Sequence, residues 1–297
     1  MTHDCMTHDY PPFLGSEIAN AAPAAATFHV LPVPLEKSVS YGTGTGRGPS
    51  ALLHASWQLE LWDGAGIPSR AGIHTCPAVD CEASAETVVA SIAQATRTII
   101  EHGAIPVVLG GEHTVTCGVI DGLLSAGIDD FGVVQIDAHA DLREAYEGDR
   151  WSHASVMKRV IDRGVPLYQL GVRALCTEEI ATRQRCRVRY EDAESLVVNN
   201  RLRITLPEDF PPKVYFTVDI DGIDPSVFPS TGTPVPGGLG WYQTLALFES
   251  VASQRDLIGF DIMEFAPIEG FHAYDFAGAL LCQKLMGIVS RHRGSDG

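Results

Sequence analysis

Residues 131–141 read Phe-Gly-Val-Val-Gln-Ile-Asp-Ala-His-Ala-Asp. The first six are nearly continuously apolar, as expected of a strand covered on both faces rather than one with a wet side. The last five place polar groups at every second position. In extended backbone that alternation throws Asp137, His139 and Asp141 to one side. A buried strand ending in clustered polar groups sets both an architecture and a place for chemistry, because open parallel α/β sheets collect function at the carboxyl ends of their strands.

Outward from this stretch the same arrangement recurs. Apolar runs at Phe28 to Val33, Ile105 to Leu109, Leu167 to Val172, Val214 to Ile220 and Leu257 to Ile262 predict further buried strands. Helical stretches lie between them at Ser50 to Trp62, Ser84 to His102, Thr114 to Leu124, Ala154 to Arg163, Trp241 to Ser253 and Asp275 to Arg291. In the second, Val88, Ile92, Ala95 and Ile99 keep an i, i+3/i+4 spacing and Gly103 follows as a stop. Strands alternating with helices predict βαβ units and a parallel sheet covered on both sides. No linker or repeat interrupts residues 28–297, so a single domain is expected there. Residues 1–27 show no periodicity and predict an irregular arm, poorly ordered as termini usually are.

The 297 residues carry 21 Lys+Arg against 37 Asp+Glu, a net charge of −16, which excludes a protein that tracks nucleic-acid phosphates. With 45% hydrophobic residues, disorder of the whole chain is excluded too. Seven cysteines, without a Cys-x-x-Cys pair, point away from a disulfide framework or thiolate zinc cage and toward a reducing cytoplasm. No apolar run approaches the roughly 18 residues of a membrane span, and no basic segment leads an apolar core as in a signal peptide.

The other strand ends are equally polar. Gly110-Gly111-Glu112-His113 follows one run, Asp219, Asp221, Asp224 and Pro225 close another, and Met263-Glu264 follows a third. Buried carboxylates are costly to ionise without cations, and Arg143 is the only basic residue beside these ends. Metal ions are the simpler counter-charge. His113, Asp137, His139, Asp141, Asp219 and Asp221 offer two imidazoles and four carboxylates, enough for two ions if carboxylates bridge. That set favours a hard divalent ion such as manganese over structural zinc. Two ions roughly 3.5 to 4 Å apart share and activate a hydroxide, which implies metal-assisted hydrolysis. Taken alone, a histidine after Gly-Gly reads as a helix start and Asp219 to Pro225 as a turn. Three such strand ends in one sheet converge on a site.

These residues resemble the ureohydrolase family, which includes arginase, agmatinase and guanidinobutyrase. Gly110 to His113 is similar to its Gly-Gly-Asp/Glu-His pattern, Asp137 to Asp141 to Asp-Ala-His-x-Asp, and Asp219 to Pro225 to Asp-x-Asp-x-x-Asp-Pro. Ser40-Tyr41, Gly44-Thr45, Arg47 to Pro49, Thr231 to Pro234 and Pro236 to Gly238 also resemble family segments, so the likeness runs from about Val30 to Ile288. It implies a three-layer α/β/α sandwich with a mostly parallel eight-stranded sheet, two Mn2+ ions on the six ligands named, and a bridging hydroxide that attacks a guanidinium carbon to release urea. It also implies that Glu264 holds the guanidinium and His153 shuttles a proton. A carboxylate suits a planar cation through paired charge-assisted hydrogen bonds, and an imidazole suits proton transfer near neutral pH. Homo-oligomers, trimers or hexamers, are common in the family.

The loop after Asp141 looks more like the agmatinase branch: Arg143 stands where arginases carry Asn, and Trp151 to Ala154 follows. Agmatine, hydrolysed to putrescine and urea, is the expected substrate. Glu144, Glu147 and Asp149 are candidates to hold its ammonium. Arg143 points instead to a guanidino acid such as 4-guanidinobutyrate, or simply bridges to Glu147. Arginine hydrolysis and a non-catalytic binding protein for guanidino compounds are the remaining alternatives.

Overall fold

In a computed structural model describing residues 10–293, eight strands form one all-parallel sheet. They are β1 (Phe28–Val33), β2 (Ile73–Thr75), β3 (Ile105–Gly110), β4 (Phe131–Ile136), β5 (Leu167–Leu170), β6 (Arg189–Glu191), β7 (Lys213–Asp219) and β8 (Asp256–Met263), in the order β2-β1-β3-β8-β7-β4-β5-β6. Strands β3, β8, β7 and β4 lie side by side at the centre. These are the four whose ends carry the polar groups.

Alternating strand residues feed two hydrophobic cores. On one face Val107, Leu109, Ile136, Val218 and Ile262 meet α1 (Gly48–Ala55), α7 (Trp241–Ala252) and α8 (His272–Arg293). On the other, Val108, Val133 and Met263 meet α2 (Ala85–Glu101), α3 (Val115–Ser125) and α4 (Val156–Asp162). Helix α2 starts where the Ser84 hydroxyl accepts the Thr87 N–H at 3.3 Å and ends before Gly103, whose φ is 73°.

The sequence pattern does not reveal β2, β6, α5 (Thr177–Cys186) or α6 (Ala193–Val198). Strands β2 and β6 have three residues each, and β6 is largely exposed. Helix α5 is mostly polar, so it carries no apolar stripe to detect.

The arm departs from expectation in its order. Residues 1–9 lie outside the described residues; from residue 10 onward the arm is irregular, packed into the protein at its start and largely exposed over residues 16–25. Phe13 and Leu14 are buried in the core. Edge strand β2 explains this, because its outer backbone groups need partners. Asn20 serves Thr75 through its amide, accepting the Thr75 N–H at 2.7 Å and donating to the Thr75 carbonyl at 3.2 Å. The Ala21 N–H donates to the Ile73 carbonyl at 3.0 Å. The Phe13 and Leu14 N–H groups donate to the Thr75 and Ser56 hydroxyls. Phe13→Ala should therefore lower unfolding free energy by about 3–5 kcal/mol, read from urea denaturation.

Candidate metal centre and substrate pocket

Strand β3 delivers His113. Beyond it the chain stays against the end of β1, with the Gly111 N–H on the Val33 carbonyl and the Glu112 N–H on the Leu35 carbonyl, each at 2.8 Å. A Cβ at Gly111 would lie 2.0 Å from the Leu35 oxygen, so only glycine permits the approach. His113 then sits fully buried before α3. Its Nδ1 lies 3.3 Å from Asp137 Oδ2, 3.2 Å from Asp141 Oδ2 and 3.2 Å from Asp219 Oδ2.

Strand β4 supplies Asp137, His139 and Asp141, the last held at a φ of 52°. Past β7, Asp221 joins them: His139 Nδ1 is 2.9 Å from Asp221 Oδ2 and 3.6 Å from Asp137 Oδ1. Two ligand groups result, His113/Asp137/Asp219 and Asp137/His139/Asp221, with Asp137 common to both. All six residues expected as ligands thus lie in one cluster.

The donor set fits cations. His113 Nε2 lies 2.8 Å from Thr217 Oγ1. With Thr217 accepting from Nε2–H, Nδ1 faces three carboxylates either as a bare lone pair or protonated: burial opposes charge on His113, but Asp137, Asp141 and Asp219 outweigh it and hold the imidazole well above its ordinary value. Nδ1 is buried without a hydrogen-bond partner of its own. A lone pair among carboxylates is tolerable only with positive charge between them, and oxygen-rich ligation with two imidazoles and no sulfur suits hard divalent ions. Protons are the alternative counter-charge. Burial and the neighbouring Asp137 push Asp141 up to about 7. Burial opposes charge on His139, but Asp137 and Asp221 outweigh it and hold that imidazole at about 12.

Around the cluster runs a polar shell hidden inside the apolar strand pattern. Asp137 Oδ2 accepts from Gln135 Nε2 at 2.6 Å, Gln135 Oε1 accepts from Gln169 Nε2 at 2.6 Å, and Gln169 Oε1 accepts from Arg183 Nε at 2.8 Å. Asp221 accepts the Ala138 N–H and the Thr233 hydroxyl at 3.0 and 3.1 Å. Gln135 and Thr217 each stand two residues before a strand-end aspartate. Period-two alternation would have marked both as facing the same side.

A pocket of about 360 Å³ opens beside the cluster, its wall including Ser40, Asp141, Arg143, Tyr146, His153 and Cys176. A larger concavity, about 850 Å³, lies at the amino ends of β7 and β8 around Pro212 and Asp256, away from every one of these groups. His153 stands in the turn leading into α4. Burial holds it below the ordinary imidazole value. Glu264 does not line the pocket. It is buried at a φ of 60°, its Oε1 accepts the His113 N–H at 2.7 Å, and burial aided by Glu112 pushes it up to about 8.

Beyond the cluster, the candidates fare differently. The Arg143 guanidinium lies 5.8 Å from the centre of the Tyr146 ring, and no Arg143–Glu147 pair forms among the described residues. Glu144 turns to Lys158 and Arg159, at 3.0 and 2.9 Å. Asp149 accepts the Trp151 N–H at 2.8 Å. Glu144 and Asp149 are therefore engaged elsewhere.

The arginase family profile matches residues 26–287, and this chain belongs to the arginase family, the ureohydrolases. It is thus a hydrolase of a binuclear metal-dependent family. The N(1)-aminopropylagmatine ureohydrolase of Synechocystis is 37% identical, covering 93% of this chain and 92% of that one. The agmatinase of Pyrococcus horikoshii is 30% identical, covering 90% and 93%. The solved agmatine ureohydrolase of Thermoplasma volcanium superimposes with a TM-score of 0.83 at 25% identity, covering 96% of each chain.

The charge balance makes a pH prediction. Asp141 and His139 titrate above their unfolded values, so the metal-free fold binds more protons than the unfolded chain and loses stability as pH rises. Its Tm should fall between about pH 6 and pH 8. Saturating Mn2+ should reverse that slope in the same thermal scan, because protons then compete with the ion.

Proposed function

We propose that this chain hydrolyses the guanidino group of agmatine, or of agmatine carrying an N1-aminopropyl extension, at a pair of manganese ions held by His113, Asp137, His139, Asp141, Asp219 and Asp221. The observation that carries this reading is the pair of ligand groups sharing Asp137 beside a pocket that also holds His153. The names of the 37% and 30% identical relatives support an agmatine-type amine, and the nearer name favours the extended substrate. A net charge of −16 attracts such cations over distances set by salt.

Bound divalent ions supply Lewis-acid charge and a nucleophile at neutral pH. The chain's own groups do the rest. Glu264, behind the pocket wall with Oε1 already on the His113 N–H, has Oε2 left to meet the planar guanidinium, which family resemblance assigns to it. Ala174, Leu175 and the Tyr146 ring offer apolar wall to a polymethylene tail. His153, neutral at rest, takes a proton from the attacking water and passes it to the departing amine, leaving urea and putrescine, or urea and the corresponding triamine. A cytoplasmic setting and a trimeric or hexameric homo-oligomer belong to the same proposal. Exposed Tyr41, Tyr242 and Phe271 provide apolar surface for such assembly, which sedimentation would measure.

With Mn2+ fixed, kcat/KM for N1-aminopropylagmatine and agmatine should each exceed that for arginine and 4-guanidinobutyrate by about 100-fold or more, given the unpaired charge a wrong head group would leave. Faster turnover of 4-guanidinobutyrate would reject the amine assignment and give Arg143 a carboxylate to bind. His153→Ala should keep its metal and lose about 10²–10⁴-fold in kcat. Asp137→Ala, which removes the shared ligand, should lose metal as well as activity.

A further inference from the structure

The segment after β1 reaches the pocket wall at Ser40, and its two alternating serines meet His153. Ser38 Oγ lies 3.1 Å from His153 Nδ1, and Ser40 Oγ lies 2.8 Å from Nε2. Buried Glu112, at the end of β3, anchors this strap. Its Oε2 accepts the N–H groups of Lys37 and Ser38 at 2.5 and 2.6 Å, and its Oε1 accepts the Ser38 hydroxyl at 2.9 Å. Glu36 tightens the far side by accepting the Gly44 and Gly46 N–H groups, and the Gly42 N–H donates to the Gly232 carbonyl.

Proton counting gives these contacts a direction. Ser38 has one hydroxyl proton, and Glu112 takes it. Toward His153 the Ser38 oxygen is therefore an acceptor, which already receives the His153 backbone N–H at 3.0 Å. His153 must then carry its ring proton on Nδ1. The other hydroxyl near Nδ1, that of Ser152, is 3.4 Å away and too distant to compete. Nε2 is left with a lone pair, which accepts from the Ser40 hydroxyl at the pocket wall.

We propose that Glu112 and Ser38 are positioning residues that fix His153 in its Nδ1–H tautomer, so that Nε2, held by Ser40, is the atom that exchanges protons with the pocket. The inference rests on the assignment of His153 as the proton-handling group. A wrongly placed ring proton leaves a general base in position yet unable to act.

Long-range 1H–15N correlation of the full-length, metal-free protein labelled in histidine nitrogen reads the tautomer without any turnover, near pH 8 where a free imidazole is neutral. The His153 signals, identified by their loss in His153→Gln, should show a protonated Nδ1 and an unprotonated Nε2. Ser38→Ala should shift them toward Nε2–H, and Ser38→Thr, which keeps the hydroxyl, should restore the original pattern. In the Mn2+-loaded enzyme, Ser38→Ala should lower kcat by roughly tenfold or more, with KM and metal content held within about twofold, as expected when only the tautomer is wrong. An Nε2–H tautomer in the unaltered protein overturns the inference, as does a Ser38→Ala spectrum that does not change. Full turnover by Ser38→Ala alongside an inactive His153→Ala overturns it and leaves the shuttle assignment standing. Full turnover by His153→Ala removes the shuttle assignment and the inference with it.

Discussion

Negative charge crowded at the ends of adjacent strands is the constraint that orders the rest of the molecule. Asp137, Asp141, Asp219, Asp221 and Glu264 are all buried, within one layer of the sheet's carboxyl edge. Hydrophobic packing of the two cores brings them there, and nothing in that packing neutralises them. Every polar group nearby is spent on making the arrangement tolerable: amide and hydroxyl donors on the aspartates, a threonine behind His113, a buried arginine at the end of the glutamine chain. Arg173, not Arg143, is the basic side chain that stands against these carboxylates: its guanidinium donates to the Asp221 carbonyl at 2.6 Å and feels the charge of Asp221, Asp137, Asp224 and Asp219, and bound cations would answer the charge that remains.

Holding that geometry also costs backbone comfort. Asp141 and Glu264 occupy the left-handed region that residues with a Cβ rarely adopt, at φ of 52° and 60°. Each lies where the chain leaves a central strand and must turn a carboxylate inward. Such conformations persist only where surrounding structure over-determines them. Here the Lys158 N–H on the Asp141 carbonyl at 3.0 Å, and the Glu264 N–H on the Gly111 carbonyl at 2.8 Å, do so.

Much of this was legible in the sequence because it follows from period and burial. The four central strands are apolar on both faces, and their ends change abruptly to Asp, His and Glu, so the sheet and the cluster could both be read. What escaped detection lacks those signals. Strand β6 and helix α5 are polar and local, and the arm is ordered by contacts to residues more than fifty positions away. Glu112 is adjacent to a ligand in sequence but acts across 74 residues on Ser38, a relation no spacing rule carries. Gln135 and Thr217 were masked by the apolar runs around them, although their parity with Asp137 and Asp219 was visible.

Asn20, finally, decides something about the outside of the molecule. It fills both outer backbone bonds of Thr75, and together with the Ala21 N–H on the Ile73 carbonyl it covers the β2 border of the sheet. The opposite border, β6, presents Arg189 and Glu191, which are tied to Asp209 and Arg201. The β2 border thus offers fewer free backbone groups to a neighbouring strand than the largely exposed border at β6.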